Sequence, residues 1–93
     1  MRTIELTTRF KKDYRRILAG PFGGRIRHEF DAVVVMLAND QLLPVKHVDH
    51  SLVGEWQDHR DCHIRPDLIL IYRKPDSDSL ELVRLGSHSE FGL

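Results

Sequence analysis

The first third of the chain changes from alternating apolar and polar positions to an apolar stripe with helical spacing. The alternation over residues 2–6 predicts a short strand. A first helix is predicted over about residues 8–19, because Thr7 and Thr8 offer N-cap side chains and the glycine-rich run 20–24 ends the helical pattern. The apolar stripe of this helix consists of Phe10, Tyr14, Ile17 and Leu18.

A second apolar stripe follows the glycine-rich run and predicts a second helix. Its members are spaced at i, i+4, i+7, i+8 and i+11, and they are Ile26, Phe30, Val33, Val34 and Leu37. The three valines at 33–35 are β-branched and also permit a strand. The longer stripe favours a helix that ends near Asn39 and Asp40.

The rest of the chain predicts a loop followed by strands. Residues 42–53 show no sustained period, so we interpret them as a loop. Strands are predicted at residues 54–57, 59–65, 68–74 and 80–85, with turns between them. The predicted fold class is α+β, with two helices in the N-terminal half packed on a mostly antiparallel sheet of four to five strands, in one domain over residues 1–93.

The predicted strand over residues 59–65 has one apolar face and one face of ionisable groups. Side chains alternate across a strand, so Cys62 and Ile64 point to the core, and the opposite face carries His59, Asp61, His63 and Arg65. The preceding loop adds Lys46, His47, Asp49 and His50. Imidazoles near carboxylates accept and donate protons near neutral pH, which is typical of acid–base chemistry.

Composition and charge narrow the setting of this chemistry. The chain has 93 residues, 41% of them apolar, and no apolar run long enough to span a membrane, so we expect a cytoplasmic location and no membrane partner. The single cysteine excludes an internal disulfide. Residues 1–27 contain eight basic and two acidic residues, a net charge of +6, and the remainder carries −6. The basic third either attracts a phosphate backbone or forms a solvated helix face.

Three other interpretations of the ionisable groups stay open at this point. The histidines could be surface residues without a role. A metal site could draw on the histidines and aspartates between residues 47 and 67, although they match no recognised ligand spacing. Cys62 and His63 could form a nucleophilic pair, although neighbours on a strand point to opposite faces.

Two motifs carry a resemblance to a known family. The pattern DHxLxGxWxxxRDxHxxPDxxLIY is met from Asp49 to Tyr72, and GSH is met at Gly86 to His88. With these motifs the chain resembles, over nearly its whole length, the YafQ-type toxins of the RelE/ParE superfamily, the mRNA interferases of bacterial toxin–antitoxin pairs. The resemblance implies a RelE-like microbial ribonuclease-type fold that cleaves mRNA, typically on the ribosome, needs no metal or other cofactor, and is silenced by a tightly bound antitoxin.

The resemblance also implies roles for individual residues. Acid–base and phosphate-contacting roles fall on His50, His63, Asp67 and His88. Asp61 is implied as a supporting carboxylate at the substrate, and Phe91 as an aromatic near the end of the chain. Lys46 and Arg65 are further candidates for phosphate contacts. The family usually has a leucine before this aromatic, and the leucine is missing here, so Phe91 either stacks on a base or packs against the sheet.

These roles predict cleavage through attack of a ribose 2′-hydroxyl on the adjacent phosphate. The reaction needs a base, an acid, and donors or positive charge for the phosphorane. His50 or His63 acts as the base and His88 as the acid, with Asp67 orienting an imidazole, although base and acid can be exchanged at this stage. The alternative is a ParE-like binding module that does not cut RNA and inhibits a protein target through its surface.

Overall fold

The computed structural model describes residues 1–93, which form five strands, three α-helices and two 3₁₀ turns. In chain order the strands and α-helices are β1 (Thr3–Leu6), α1 (Thr8–Leu18), α2 (Gly23–Ala38), β2 (His50–Ser51), β3 (Arg60–Arg65), β4 (Leu68–Arg73), β5 (Ser79–Gly86) and α3 (His88–Phe91). The 3₁₀ turns cover Val45–His47 and Gly54–Trp56. None of the helices combines the length and the apolar character that a membrane span requires.

The five strands form one sheet in the order β1-β5-β4-β3-β2. β1 and β5 run parallel, and the three other neighbouring pairs are antiparallel. The first and last strands are therefore paired side by side, and β2 forms the opposite edge. The predicted α+β class and the mostly antiparallel sheet are confirmed.

The main core lies between the helices and one face of the sheet. α1 begins where the Thr7 hydroxyl accepts a hydrogen bond from the Phe10 main-chain nitrogen at 3.0 Å. The buried aromatic rings of Phe10 and Phe30 stack with centroids 5.8 Å apart. They pack in one cluster with aliphatic side chains of α2 and of β3, β4 and β5. This burial removes most of the helices' apolar stripes from water, which is the dominant stabilising term.

The three consecutive valines lie in α2, as the longer stripe predicted. Val33 and Val34 are buried in the main core, and Val35 is exposed on the outer side of the helix. Burying each of the two inner side chains contributes about 1.5–3 kcal/mol, whereas helix propensity penalises a valine by less than about 0.7 kcal/mol. Packing therefore decides the conformation of this segment.

A second, smaller cluster covers the other face of the sheet. Side chains alternate along β4, so Leu70 and Tyr72 enter the main core while Ile69 and Ile71 point the other way. The second cluster joins these two isoleucines to Leu52 and Phe91. β4 is thus buried on both faces, which explains its nearly continuous apolar sequence.

The structure differs from the sequence prediction in three places. The predicted loop over residues 42–53 contains the first 3₁₀ turn and the two-residue strand β2. The segment 54–57 is not a strand: Gly54 has a φ of +70°, which glycine adopts readily, and it opens a 3₁₀ turn. The C-terminal helix α3 was not predicted. It starts with a reciprocal capping box in which Ser87 accepts from the Glu90 main chain and Glu90 accepts from the Ser87 main chain.

Candidate active site

The candidate site lies on the sheet face opposite α1 and α2. Cys62 and Ile64 of β3 point into the main core, so Asp61 and His63 project from the other face. β2 pairs with β3 in a register that sets His50 directly opposite Asp61. Directly opposed residues of an antiparallel pair share a face, so the three side chains gather on one surface.

His50 and Asp61 form a close pair across the two strands. Nδ1 of His50 lies 3.0 Å from the Ser51 carbonyl, which can only accept, so Nδ1 carries a hydrogen. Nε2 of the same ring lies 2.9 Å from Oδ1 of Asp61. This approach is favourable only if a second proton lies on the imidazole or on the carboxyl group. Oδ1 of Asp61 is buried and makes no hydrogen bond of good geometry in this arrangement.

Burial also raises the pKa of Asp61. The residue is only 2% exposed, and this desolvation raises the pKa of its carboxyl group. The charges of His50, His63 and His88 lower the pKa and offset part of the effect. All three imidazoles are therefore close enough to affect the pKa of one buried carboxyl group.

A hydrogen-bonded anchor holds the two-residue strand that carries His50. Asp49 precedes His50 and points to the opposite side, where Oδ1 accepts a hydrogen bond from the buried Tyr72 hydroxyl at 2.6 Å. Arg60 Nε donates to the same oxygen at 3.3 Å. Arg60 also donates to the Ser51 hydroxyl at 2.9 Å. The position of His50 thus depends on groups that lie on the core side of the sheet.

His88 is held by Asp67 from the turn between β3 and β4. Oδ1 of Asp67 accepts from the His88 main-chain nitrogen at 3.0 Å and from its Nδ1 at 2.7 Å. These two hydrogen bonds lower the pKa of Asp67. A carboxylate accepts from Nδ1–H, so the ring orientation is fixed and Nε2 remains for a substrate.

His63 lies beside His88 with its ring nitrogens unoccupied. The two ring centroids are 5.0 Å apart and the rings meet edge to face, at 80°. The hydrogen bond at His63 uses its main-chain carbonyl, which accepts from Nδ1 of His47 at 2.7 Å. Two imidazoles from different elements therefore meet on one face of the sheet, each with a ring nitrogen available to a substrate.

The helix that carries His88 is tied to α1. Asp13 of α1 accepts from Arg84 at 2.7 and 3.2 Å and from the Leu85 main chain at 3.1 Å. Burial alone would raise the pKa of Asp13, but these hydrogen bonds and the neighbouring arginine charges lower it overall. Arg16 of α1 contacts Glu90 of α3 at 2.9 Å. Both contacts join α1 to the end of β5 and to α3.

Phe91 packs against the sheet, the second of the two interpretations that the sequence left open. Its side chain is 7% exposed in the cluster with Leu52, Ile69 and Ile71. Trp56 donates its indole N–H to the Phe91 carbonyl at 3.3 Å. The guanidinium of Arg84 lies 5.0 Å from the centre of the Phe91 ring. A ring covered in this way offers little surface for stacking on a base.

Lys46 and Arg65 line a groove beside α2 that His63 also borders. Arg65 donates to both carboxylate oxygens of Glu29, at 2.8 and 2.9 Å, so its charge is already matched within the protein. Lys46 is exposed on the first 3₁₀ turn. Cys62 is fully buried, and burial raises the pKa of its thiol, which removes the nucleophilic pair with His63 from consideration.

The structure brings together five of the residues singled out in the sequence, which are His50, Asp61, His63, Asp67 and His88. The anchor formed by Asp49, Arg60 and Tyr72 was not predicted, because it joins residues that only the strand register brings into contact. The capping box before Glu90 had a recognisable signal, the Ser-x-x-Glu spacing.

Comparison with known proteins relates this arrangement to a family. The family described as "Bacterial toxin of type II toxin-antitoxin system, YafQ" matches the chain over residues 2–92. The chain belongs to this YafQ family. One YafQ relative, an mRNA interferase toxin from Escherichia coli strain B / BL21-DE3, is 33% identical over 93 aligned positions, covering 95% of this chain and 92% of that protein.

Solved structures of related toxins share the fold. A copper-bound mutant toxin from Helicobacter pylori superposes with a TM-score of 0.87 and 38% identity, covering 97% of this chain and 98% of that one. A structure of the Escherichia coli DinJ-YafQ complex gives a TM-score of 0.81 and 29% identity, with 97% of each chain covered. The expectation of a toxin of the type II toxin–antitoxin class, in the YafQ family of mRNA interferases, is confirmed. So is the expectation of an endoribonuclease.

Proposed function

We propose that this protein cleaves mRNA through attack of a ribose 2′-hydroxyl on the adjacent phosphate, with imidazoles as acid and base. The single observation that carries this proposal is the meeting of His63 and His88 at 5.0 Å, with Asp67 holding one of the two rings. Proton transfer to and from two positioned groups is what this reaction needs.

His63 acts as the base that takes the proton of the 2′-hydroxyl. Its ring nitrogens are free of hydrogen bonds within the protein, whereas Nε2 of His50 lies 2.9 Å from Oδ1 of Asp61 and Nδ1 lies 3.0 Å from the Ser51 carbonyl. The contacts therefore favour His63 over His50, the two candidates that the sequence left open. A ring whose two nitrogens both contact protein oxygens is less available to a substrate hydroxyl than a ring with free nitrogens.

His88 acts as the acid that protonates the departing 5′-oxygen. Asp67 accepts from Nδ1, so the imidazolium form has a matched negative charge on one side and donates from Nε2 on the other. Both ring nitrogens of His50 already contact protein oxygens, those of the Ser51 carbonyl and of Asp61, so His50 acts by positioning the Asp61 carboxyl group beside the other two imidazoles.

The partners follow from the family. The relative from Escherichia coli is named an mRNA interferase toxin, and a related YafQ is found in a toxin–antitoxin complex with DinJ. We infer that this chain acts in the cytoplasm on mRNA bound to the ribosome, and that a cognate antitoxin protein silences it. Ribosome-bound mRNA presents unpaired nucleotides, which a single-strand ribonuclease can reach.

The solved toxin from Helicobacter pylori contains copper, and we infer that a metal ion would inhibit this chain. A metal bound by an imidazole takes up the nitrogen lone pair that proton transfer requires. Added copper should therefore slow cleavage, and a chelator should restore it. Faster cleavage with copper would contradict the assigned roles.

Cleavage by purified variants tests the proposal. His63→Ala and His88→Ala should each lower the rate at saturating RNA by about 10²-fold or more, with the fold and antitoxin binding retained. His59→Ala is the matched control, because that imidazole lies against Trp56, away from the cluster, and should leave the rate unchanged. If wild type and all three variants leave RNA intact while still inhibiting growth, the chain is a binding module and the proposal is wrong.

A further inference from the structure

A groove of about 690 Å³ opens between α2, the first 3₁₀ turn and the end of β3. Its floor is apolar and consists of Ala32, Val33, Met36 and Ile64. Its volume lies within the range of about 300–1,000 Å³ that is usual for small-molecule sites. His63 borders the groove and also belongs to the candidate active site.

The rim of the groove is polar and held in place. Arg65 and Glu29 form a double hydrogen bond, and the Arg65 guanidinium lies 5.8 Å from the Phe22 ring. Nδ1 of His47 donates to the His63 carbonyl, so its Nε2 is the free nitrogen. Lys46 adds an exposed ammonium group that makes no hydrogen bond or ion pair within the chain. Donors, acceptors and a positive charge thus surround the apolar floor.

From this arrangement we propose that the groove binds a nucleoside of the RNA next to the cleaved bond. The inference rests on the proposed function, which sets the scissile phosphate at His63. A base lies flat on the apolar side chains of α2, its polar edge meets the Arg65–Glu29 pair, and Lys46 contacts a flanking phosphate. Unpaired RNA bases are recognised in this way, through apolar or planar surfaces and hydrogen bonds at their edges.

A nucleotide fits these features better than a protein partner does. Stable protein interfaces bury about 800 Å² on each partner and usually extend over a broad surface. The groove is instead a local concavity that mixes an apolar floor with both hydrogen-bond donors and acceptors. His63 borders the groove and also contacts His88, so a nucleotide in the groove lies next to the proposed site of cleavage.

Nuclear magnetic resonance titration with AMP, GMP, CMP and UMP tests the assignment, with inorganic phosphate as the comparison ligand. The nucleotides should shift the resonances of Ala32, Met36 and Ile64, whereas inorganic phosphate should shift the histidine cluster alone. Ala32 is exposed on α2, so Ala32→Trp fills the groove without entering the core. This variant should weaken nucleotide binding about tenfold or more.

Two further variants keep the test decisive. Met36→Trp fills the same groove from the next turn of α2 and replaces Ala32→Trp if that variant does not fold. Val35→Trp, on the exposed outer side of the same helix, is the matched control and should bind nucleotides like wild type. Equal nucleotide affinity in the groove-filling variants and wild type would overturn the proposal. The same result with weaker antitoxin binding would assign the groove to the antitoxin.

The nucleotide titration does not depend on cleavage. The groove proposal and the proposed RNA cleavage can therefore be contradicted independently of each other. Nucleotide shifts in the groove of a wild-type protein that cuts no RNA would overturn the proposed function alone. RNA cleavage by a wild-type protein whose groove resonances do not respond to any nucleotide would overturn the groove assignment alone.

Discussion

The hydroxyl of Tyr72 belongs to a core residue that is only 1% exposed, yet it helps to position an active-site histidine. It donates to Asp49, the neighbour of His50 on a strand of two residues. Tyr72→Phe keeps the ring in the core and removes only this hydrogen bond. We expect the free energy of unfolding to fall by about 1.5–3 kcal/mol, the usual contribution of a hydrogen bond to a charged group.

The same change should lower the cleavage rate at saturating RNA by about tenfold, because a small displacement of His50 disturbs its pair with Asp61 at the centre of the site. Chemical denaturation and single-turnover cleavage measure the two effects, and the His50 ring resonances should shift. Tyr14→Phe is the control, because the Tyr14 hydroxyl makes no hydrogen bond and its ring packs against Phe30. A Tyr72→Phe protein with wild-type cleavage and His50 resonances would show that the anchor has no influence on the site.

The contributions of Asp61 and Asp67 to the stability of the fold should change with pH in opposite directions. Burial raises the pKa of Asp61 above its ordinary value of 3.8, so the fold loses stability as pH rises through the interval between that value and the raised pKa. Hydrogen bonds from His88 lower the pKa of Asp67, so its contribution is present above 3.8 and is lost as pH falls through the lowered pKa.

Substitution of each carboxylate by an amide separates these effects. At neutral pH, Asp61→Asn should keep or raise the melting temperature while lowering cleavage, because it removes a buried charge. Asp67→Asn should not raise the melting temperature, because the Asp67 carboxylate is exposed and accepts hydrogen bonds from His88. Melting temperatures measured from pH 3 to pH 8 give the comparison, and a clear loss of stability in Asp61→Asn at neutral pH would mean that the pair with His50 outweighs the burial of the carboxylate.

At the scale of single residues, the sequence predicted correctly which side chains of β3 share a face of the strand. Asp61 and His63 share a face because they are two residues apart, and Cys62 enters the core for the same reason. The anchor between Asp49 and Tyr72 could not be predicted, since it depends on how β2 and β4 each align with β3. Nor could the sequence distinguish packing from stacking for Phe91.

The short helix α3 shows how one element can serve both the fold and the site. Phe91 closes the second cluster and His88 begins the helix. Phe91→Ala should lower the free energy of unfolding by about 3 kcal/mol, because the truncation leaves a cavity under the sheet. In a domain of this size, that change lowers the melting temperature by about 10 °C or more.

Activity separates packing from RNA contact at Phe91. Below the melting temperature, cleavage per folded molecule should fall only moderately, since Asp67 still holds His88. Thermal unfolding and active-site titration provide the two measurements. An unchanged melting temperature with a large loss of RNA affinity would restore the stacking role.

Elements with a clear apolar period were predicted best. α1 and α2 repeat apolar residues on one side and agree with the prediction to within a few residues. The 3₁₀ turn at residues 54–56 and the four-residue α3 are too short to show a period. The 3₁₀ turn depends on the positive φ of Gly54, and α3 depends on the capping box between Ser87 and Glu90.

Over the whole molecule, the positive charge of the N-terminal third is only partly free to attract RNA. The charge of Arg16 is matched by Glu90, whereas Lys11, Lys12 and Arg15 are exposed on α1 and are the residues that we expect to attract RNA. Changing these three to Gln should weaken RNA binding at low salt and leave the rate at saturation nearly unchanged. Affinities measured over a salt series should converge with wild type as salt increases.

A different pattern would contradict this division of roles. A fall in the saturated cleavage rate, with an RNA affinity that does not depend on salt, would mean that α1 takes part in the reaction itself. The control is Lys74→Gln, since Lys74 is paired with Asp40 at 2.6 Å at the other end of the chain and should not affect RNA binding.

The central claim is that a cluster of imidazoles and carboxylates cuts RNA through its 2′-hydroxyl. The most direct measurement is the chemistry of the new RNA ends after cleavage by the wild-type protein in EDTA, determined by mass spectrometry. Full cleavage with a 2′,3′-cyclic phosphate is predicted, because the 2′-hydroxyl is the nucleophile and the assigned acid and base are side chains. A single 2′-deoxy substitution at the cut site should abolish cleavage. Loss of cleavage in EDTA that zinc or magnesium restores, or products with a free 3′-hydroxyl, would contradict the claim.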